Sequence, residues 1–192
     1  MRSFNITSSI WEIDSSIYPL YVTAWWTLSS WKTLSFIPWS IIKVKNSISI
    51  NIQWTLLSNW TSINPVIFTS INDHSEIWLL NLWSGSPAPW NWRWINFYNS
   101  WSNGSILDYT EVKYWWYYYN NYGWITFYNS NATVKNSNIH HNSAYWIYNT
   151  WWSPTIENNN INNTVKYSTS YWDWIYIASW NPTINSNIIE NN

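Results

Sequence analysis

Apolar and polar residues alternate in short runs along this chain, and the C-terminal half repeats one set of them. WITFYNSNATVKNSNIHHN (124–142) is followed by WIYNTWWSPTIENNNINNT (146–164) and WIYIASWNPTINSNIIENN (174–192). The Trp-Ile starts at 124, 146 and 174 lie 22 and 28 residues apart, and a weaker copy, WINFYNSWSNGSILDYTEV (94–112), starts 30 residues earlier. Each unit predicts three short strands. The first begins at Trp-Ile, the second surrounds Val134, Ile156 or Ile184, and the third surrounds Ile139, Ile161 or Ile189. Strand alternation sends Ile125, Phe127, Ile147, Ile175 and Ile177 to one face and Thr126, Tyr148 and Tyr176 to the other. In the N-terminal half TLSFI, SIIKVK, SISINI and PVIFTS predict about three less regular units.

Units of 22 to 30 residues with three β-type segments fit one coil of a parallel β-helix. A single coil cannot bury its inward side chains, so successive coils must stack into one continuous core. The predicted fold is all-β: one solenoid domain over 1–192, with irregular coils in 1–93 and Asn-rich coils in 94–192. Asn136, Asn158 and Ser186 hold equivalent places, two residues after an inward aliphatic. Asn tolerates left-handed backbone and can hydrogen-bond along a stack, so these three are the expected inward ladder. The alternative is solvated turn filler.

Composition adds one anomaly. There are 22 Trp and 3 Gly, whereas glycine averages about 7% of residues. The Trp residues stand where tight turns call for glycine, as in PWS, NWT and YWW. Read with Gly for Trp, YWIYNTWWSPTIENNNINN (145–163) becomes fluent turn and strand text. UGA is a stop in the standard code, Trp in one variant code and Gly in another. A gene written in the last and translated with the second would print this sequence. The alternative is real tryptophan, with Trp25-Trp26, Trp115-Trp116 and Trp151-Trp152 as sugar-stacking pairs. That arrangement would repeatedly force indoles into glycine-type turns.

The charge is −1, and 9% of residues are charged, which gives no footprint for nucleic acid or an anionic membrane. Cysteine is absent, which excludes disulfides and thiolate metal sites. No apolar run reaches the roughly 18 residues of a membrane span, and MRSFNITSSIWEIDSS contains no apolar signal core.

With Trp read as Gly, residues 20–70 (WTLSSWKTLSFIPWSIIKVKNSISINIQWTLLSNWT…NPVIFTS) resemble right-handed parallel β-helix proteins of bacterial surfaces. Residues 94–192, through SPTIENNNINN and NPTINSNIIENN, resemble the Asn-rich coils of the pectate-lyase-like superfamily. The resemblance implies a right-handed coil, an extracellular or cell-surface location, and a polysaccharide or a host or neighbouring cell surface as partner. It leaves activity open, since the same coil serves lyases, hydrolases, adhesins and stalks. The chain finishes on a completed coil without a cap, so it is expected to be a fragment of a longer protein.

Lyases of this superfamily use acidic Ca²⁺ ligands with an Arg or Lys base, and its hydrolases use clustered Asp. The first-strand outward column, Asn96, Thr126, Tyr148 and Tyr176, has neither, which weighs against catalysis. The second-strand column, Asp108, Lys135, Glu157 and Asn185, alternates in charge as a paired solvated face would. Strict alternation sends His140 and His141 to opposite faces, which disfavours a shared metal. Asp173, in STSYWDW, could contact Ca²⁺ or sugar, and Arg93 lies in a turn entering a first strand. The expected role is a non-catalytic stalk or adhesin-like, glycan-binding surface using Tyr148, Tyr176, Asn96 and Asp173, with no cofactor assigned. The alternative is part of a polysaccharide lyase or glycoside hydrolase whose catalytic coils lie elsewhere.

Overall fold

A computed structural model describes residues 10–13, 19–29, 33–75, 85–89, 91–115, 125–143, 147–163, 175–178 and 181–190. The first strands are β1 (Ile10–Ile13) and β2 (Leu20–Val22), followed by β3 (Trp26–Leu28), β4 (Thr33–Phe36) and β5 (Ile41–Val44). Next come β6 (Ile50–Ile52), β7 (Thr55–Asn59), β8 (Val66–Ser70), β9 (Ile95–Tyr98), β10 (Ile106–Asp108) and β11 (Thr110–Lys113). The repeat region supplies β12 (Ile125–Tyr128), β13 (Thr133–Lys135) and β14 (Asn138–His140), then β15 (Ile147–Thr150), β16 (Thr155–Glu157) and β17 (Asn160–Asn162). The last coil contains β18 (Ile175–Ala178), β19 (Thr183–Asn185) and β20 (Ile188–Glu190).

These strands form three sheets, and every pairing between them is parallel. Sheet A runs β1-β4-β7-β10-β13-β16-β19, sheet B runs β2-β5-β8-β11-β14-β17-β20, and sheet C runs β3-β6-β9-β12-β15-β18. Each coil passes C to A to B and rises one level, giving a right-handed parallel β-helix with three short strands per coil. Ile125 pairs with Ile147, Val134 with Ile156 and Ile139 with Ile161, so the sequence repeat and the structural level coincide.

The core is a set of vertical columns. In sheet B, Ile42, Phe68, Val112, Ile139 and Ile161 follow one another in register and are all buried. In sheet C, Ile50, Ile95, Ile125 and Ile147 do the same, and Phe97 stacks on Phe127 at 5.6 Å. Truncating one such aliphatic to alanine removes about 2–5 kcal/mol. Ile175 and Ile177 continue the inward columns and are partly buried against them.

From β9 onward the chain turns its corners by one device, whereas the described residues of the earlier coils have positive φ only at Trp39 and Ser47, inside their turns. The residue directly after a strand adopts positive φ: Tyr109, Asn136, Asn158 and Ser186 after sheet A, Tyr114, His141 and Asn163 after sheet B, and Asn99, Asn129 and Trp151 after sheet C. Their amides still serve the stack. Asn136 N donates to Glu157 O at 3.1 Å, and Asn158 N to Asn185 O at 3.0 Å.

The next residue points inward and carries the polar ladder. Ser137 N donates to Asn159 Oδ1 and Asn159 N to Asn187 Oδ1, both at 3.0 Å. Asn159 Nδ2 donates to Val134 O at 3.0 Å, and Asn187 Nδ2 to Ile156 O at 2.9 Å. After sheet B, Trp115 N donates to Asn142 Oδ1, and Asn142 Nδ2 donates to Val112 O. Asn136, Asn158 and Ser186 are therefore not the inward ladder that spacing suggested. They take the left-handed corner and face outward, and the ladder lies one residue later at Ser137, Asn159 and Asn187. The left-handed residue resets the alternation, which a plain period of two cannot anticipate.

Candidate functional site

The outer face of sheet C was expected to hold the ligand-contacting residues. Its register aligns Asn51, Asn96, Thr126, Tyr148 and Tyr176 in one column. Beside it, Tyr98, Tyr128, Thr150 and Ala178 form a second. The Tyr148 and Tyr176 rings stack at 4.9 Å and 7°, and Tyr98 and Tyr128 meet at 5.7 Å. Tyr128 and Tyr176 are exposed. The column is not uniform, because Asn96 and Thr126 face outward by register yet are buried. Asn96 Nδ2 donates to Asn51 Oδ1 at 2.9 Å, and its Oδ1 has no partner among the described residues. Asp173 lies outside the described residues. Arg93 sits over the rings of Trp25 and Trp94, at 5.4 and 5.6 Å.

The tryptophans divide by environment. Trp25, Trp39, Trp101 and Trp151 are exposed, whereas Trp92 and Trp115 are fully buried in the core. Trp92 Nε1 donates to Lys113 O at 2.9 Å. Trp115 is thus no part of an exposed sugar-stacking pair.

On sheet A, Asp108, Lys135, Glu157 and Asn185 pair in register on successive levels. Lys135 Nζ lies 3.4 Å from Asp108 Oδ2, and Asn136 Nδ2 donates to Asp108 Oδ1. Opposite charges meet between these two levels as expected, but Asp108 is buried rather than solvated.

Among the described residues, the densest group of ionisable side chains lies on the outer face of sheet B. Register aligns Lys43, Thr69, Lys113 and His140, with Glu111 one column away. The turn after β8 carries Asp73 back over this face. Asp73 Oδ2 accepts from Thr69 Oγ1 at 2.6 Å and lies 3.3 Å from Lys113 Nζ, while its carbonyl accepts from Lys43 Nζ. Lys113 Nζ also lies 3.0 Å from Glu111 Oε1, which in turn stands 3.0 Å from His140 Nε2. Lys43, Asp73 and Lys113 are buried, and buried charges of this kind persist only when paired.

Burial would raise the Asp73 pKa, but hydrogen bonds from Thr69 and Ser75 and the Lys113 charge hold it below the usual value. Glu111 behaves alike: burial opposes, while His140 and Lys113 prevail and lower it. Burial, then the charges of His140 and Lys113, lowers His141 against the pull of Glu111.

The two histidines do not part to opposite faces. His141 has φ 53°, so its ring swings back beside His140, with the Nδ1 atoms 2.6 Å apart. Sequence reasoning missed this cluster because its members come from two strands, β11 (111 and 113) and β14 (140), and from the turn after β8 (73). The available signal was the residue type: Lys43 occupies an outward position of the otherwise apolar β5, and β11 carries Glu111 and Lys113 on the same face. Among the described residues, no three His, Cys, Asp or Glu side chains are grouped to hold a metal, and no helix is long and apolar enough to cross a membrane.

No family model matches this sequence, and neither a curated protein nor a solved structure matches it.

Because the fold depresses the Asp73 pKa, its contribution to stability is complete above the ordinary carboxylate pKa of about 4. It is lost as pH falls from there through the lower folded-state value. Thermal unfolding of Asp73→Asn between pH 2 and 7 is expected to show a shallower acid limb than the parent chain. An acid limb of equal steepness would remove Asp73 from this role.

Proposed function

We propose that this chain is a non-catalytic module of a cell-surface or extracellular protein, a rigid stalk whose sheet C face binds glycans. The observation that carries the reading is the tyrosine group Tyr98, Tyr128, Tyr148 and Tyr176 on one outward face. Aromatic faces bind the apolar C–H surface of a sugar ring, while nearby hydroxyls and amides meet its polar edge. Levels rise by about 4.8 Å, so Tyr128 and Tyr176 stand about 10 Å apart along the stack, a span that suits an extended saccharide. Stacked parallel sheets fix this spacing, which limits the ordering cost of binding. The kinship with pectate-lyase-like coils belongs to the same proposal and rests on the three-sheet coil with its Asn corners.

The proposal extends to the gene. Trp39 follows Pro38 in a turn closed by Ser40 N to Ile37 O at 3.2 Å, with φ 63°. Proline followed by a left-handed residue is the type II pattern that selects glycine. Trp151, at φ 78°, holds the corner that Asn99 and Asn129 hold on earlier levels. Forcing an L-residue there costs about 1–2 kcal/mol. Both positions support UGA codons read as Gly. Trp92 and Trp115 are the contrary case, since their indoles fill the core. Sequencing the coding DNA is expected to show UGA at 39 and 151, and UGG at both would overturn the decoding proposal.

The glycan reading is tested with a polysaccharide binding screen on the chain and on Tyr176→Ala and Tyr128→Ala. The expected result is saturable binding to at least one polysaccharide, weakened about tenfold (about 1.4 kcal/mol) by either change, with circular dichroism unaltered. Absence of binding to every polysaccharide would leave only the stalk role, and cleavage of one would contradict a non-catalytic module.

A further inference from the structure

The geometry points to a site for a soft-to-borderline divalent transition ion, Cu²⁺ in particular, built from His140 and His141 at the corner after β14. We propose this as a binding site distinct from the sheet C face, and it does not depend on the glycan reading.

Two imidazole Nδ1 atoms 2.6 Å apart cannot both carry a proton. One must present a lone pair to the other, so the pair holds a single proton between two nitrogens. A metal ion that prefers imidazole can take that proton's place, after which both lone pairs point at the same centre. Metal–nitrogen bonds of about 2.0–2.1 Å require the nitrogens to open to about 3 Å. The rings meet edge to face at 76°, with centroids 4.9 Å apart. His141 is exposed, so rotating its ring supplies that movement without disturbing the core.

Glu111 completes the arrangement from behind. Its Oε1 lies 3.0 Å from His140 Nε2, which keeps the proton on Nε2 and leaves Nδ1 free for a metal. A carboxylate behind a metal-bound histidine orients the ring and strengthens the ligand. The Lys113 charge is paired with Asp73 and Glu111, at 3.3 and 3.0 Å.

The donor set determines the ion. Two nitrogens with water completing the shell suit Cu²⁺ before Ni²⁺ or Zn²⁺, following the general affinity order. Ca²⁺ and Mg²⁺ want oxygen ligands and are excluded. The backbone explains why the site forms at all: a left-handed His141 is required by the corner, and it is what brings neighbouring side chains to one side.

The test is a Cu²⁺ titration of the full chain followed by calorimetry and electron paramagnetic resonance. The expected result is one saturable site with a two-nitrogen spectrum. His141→Asn keeps a residue suited to left-handed backbone, and it should weaken binding at least tenfold without changing the unfolding midpoint. Glu111→Gln should weaken it about 10–100-fold. The third histidine, His74, has Nε2 3.1 Å from Gly85 O, and His74→Ala should leave binding unchanged. Unaltered affinity in His141→Asn, or no saturable binding in the parent chain, would overturn the proposal.

Discussion

The structure depends on how a coil turns without breaking the hydrogen bonds between levels. Three corners per coil must redirect the chain, and from β9 to β19 each described strand except the last of sheet C is followed at once by one left-handed residue. That residue keeps its amide in the stack while the direction changes. After sheets A and B the following residue turns inward, where its backbone would be stranded without a partner. Serine or asparagine supplies one. Asn159 accepts from the coil before it with Oδ1 and donates to that coil's Val134 carbonyl with Nδ2. Asn187 and Asn142 repeat the pair of bonds on other levels. The aliphatic columns supply cohesion, and the corners supply register.

Much of the fold was legible because period and level coincide. Trp-Ile starts mark the entry to sheet C, and inward Ile125, Ile147 and Ile175 follow from simple alternation. The corner was the point of failure. Asn136 and Asn158 looked like ladder residues because they sit at equivalent offsets. Deciding between Asn158 and Asn159 needs the sign of φ, which residue type does not fix for Asn. The same reset misled the reading of His140 and His141, whose rings meet only because His141 is left-handed. The Asp73, Lys113 and Glu111 cluster escaped for another reason, since its members become neighbours only through the stacking of coils.

The three outer faces differ in chemistry although they share one scaffold. Sheet C presents tyrosine, sheet A an alternating charged column, and sheet B a buried ion network beside a histidine pair of which His141 is exposed. A solenoid permits this, because inward columns alone decide folding and outward columns are free to vary. The tryptophans cut across that division. Trp39 and Trp151 occupy left-handed corners where an indole is costly, while Trp92 and Trp115 fill the interior.

The claim that inward corner amides hold the levels in register is tested most directly by urea unfolding of Asn159→Ala beside Asn158→Gly. Removing Asn159 leaves the Ser137 amide without its partner and takes one donor from the Val134 carbonyl, and a loss of about 1–3 kcal/mol is expected. Asn158→Gly keeps the left-handed corner and removes an outward side chain, so a change within about 0.5 kcal/mol is expected. Equal losses, or a larger loss at 158 than at 159, would contradict the account.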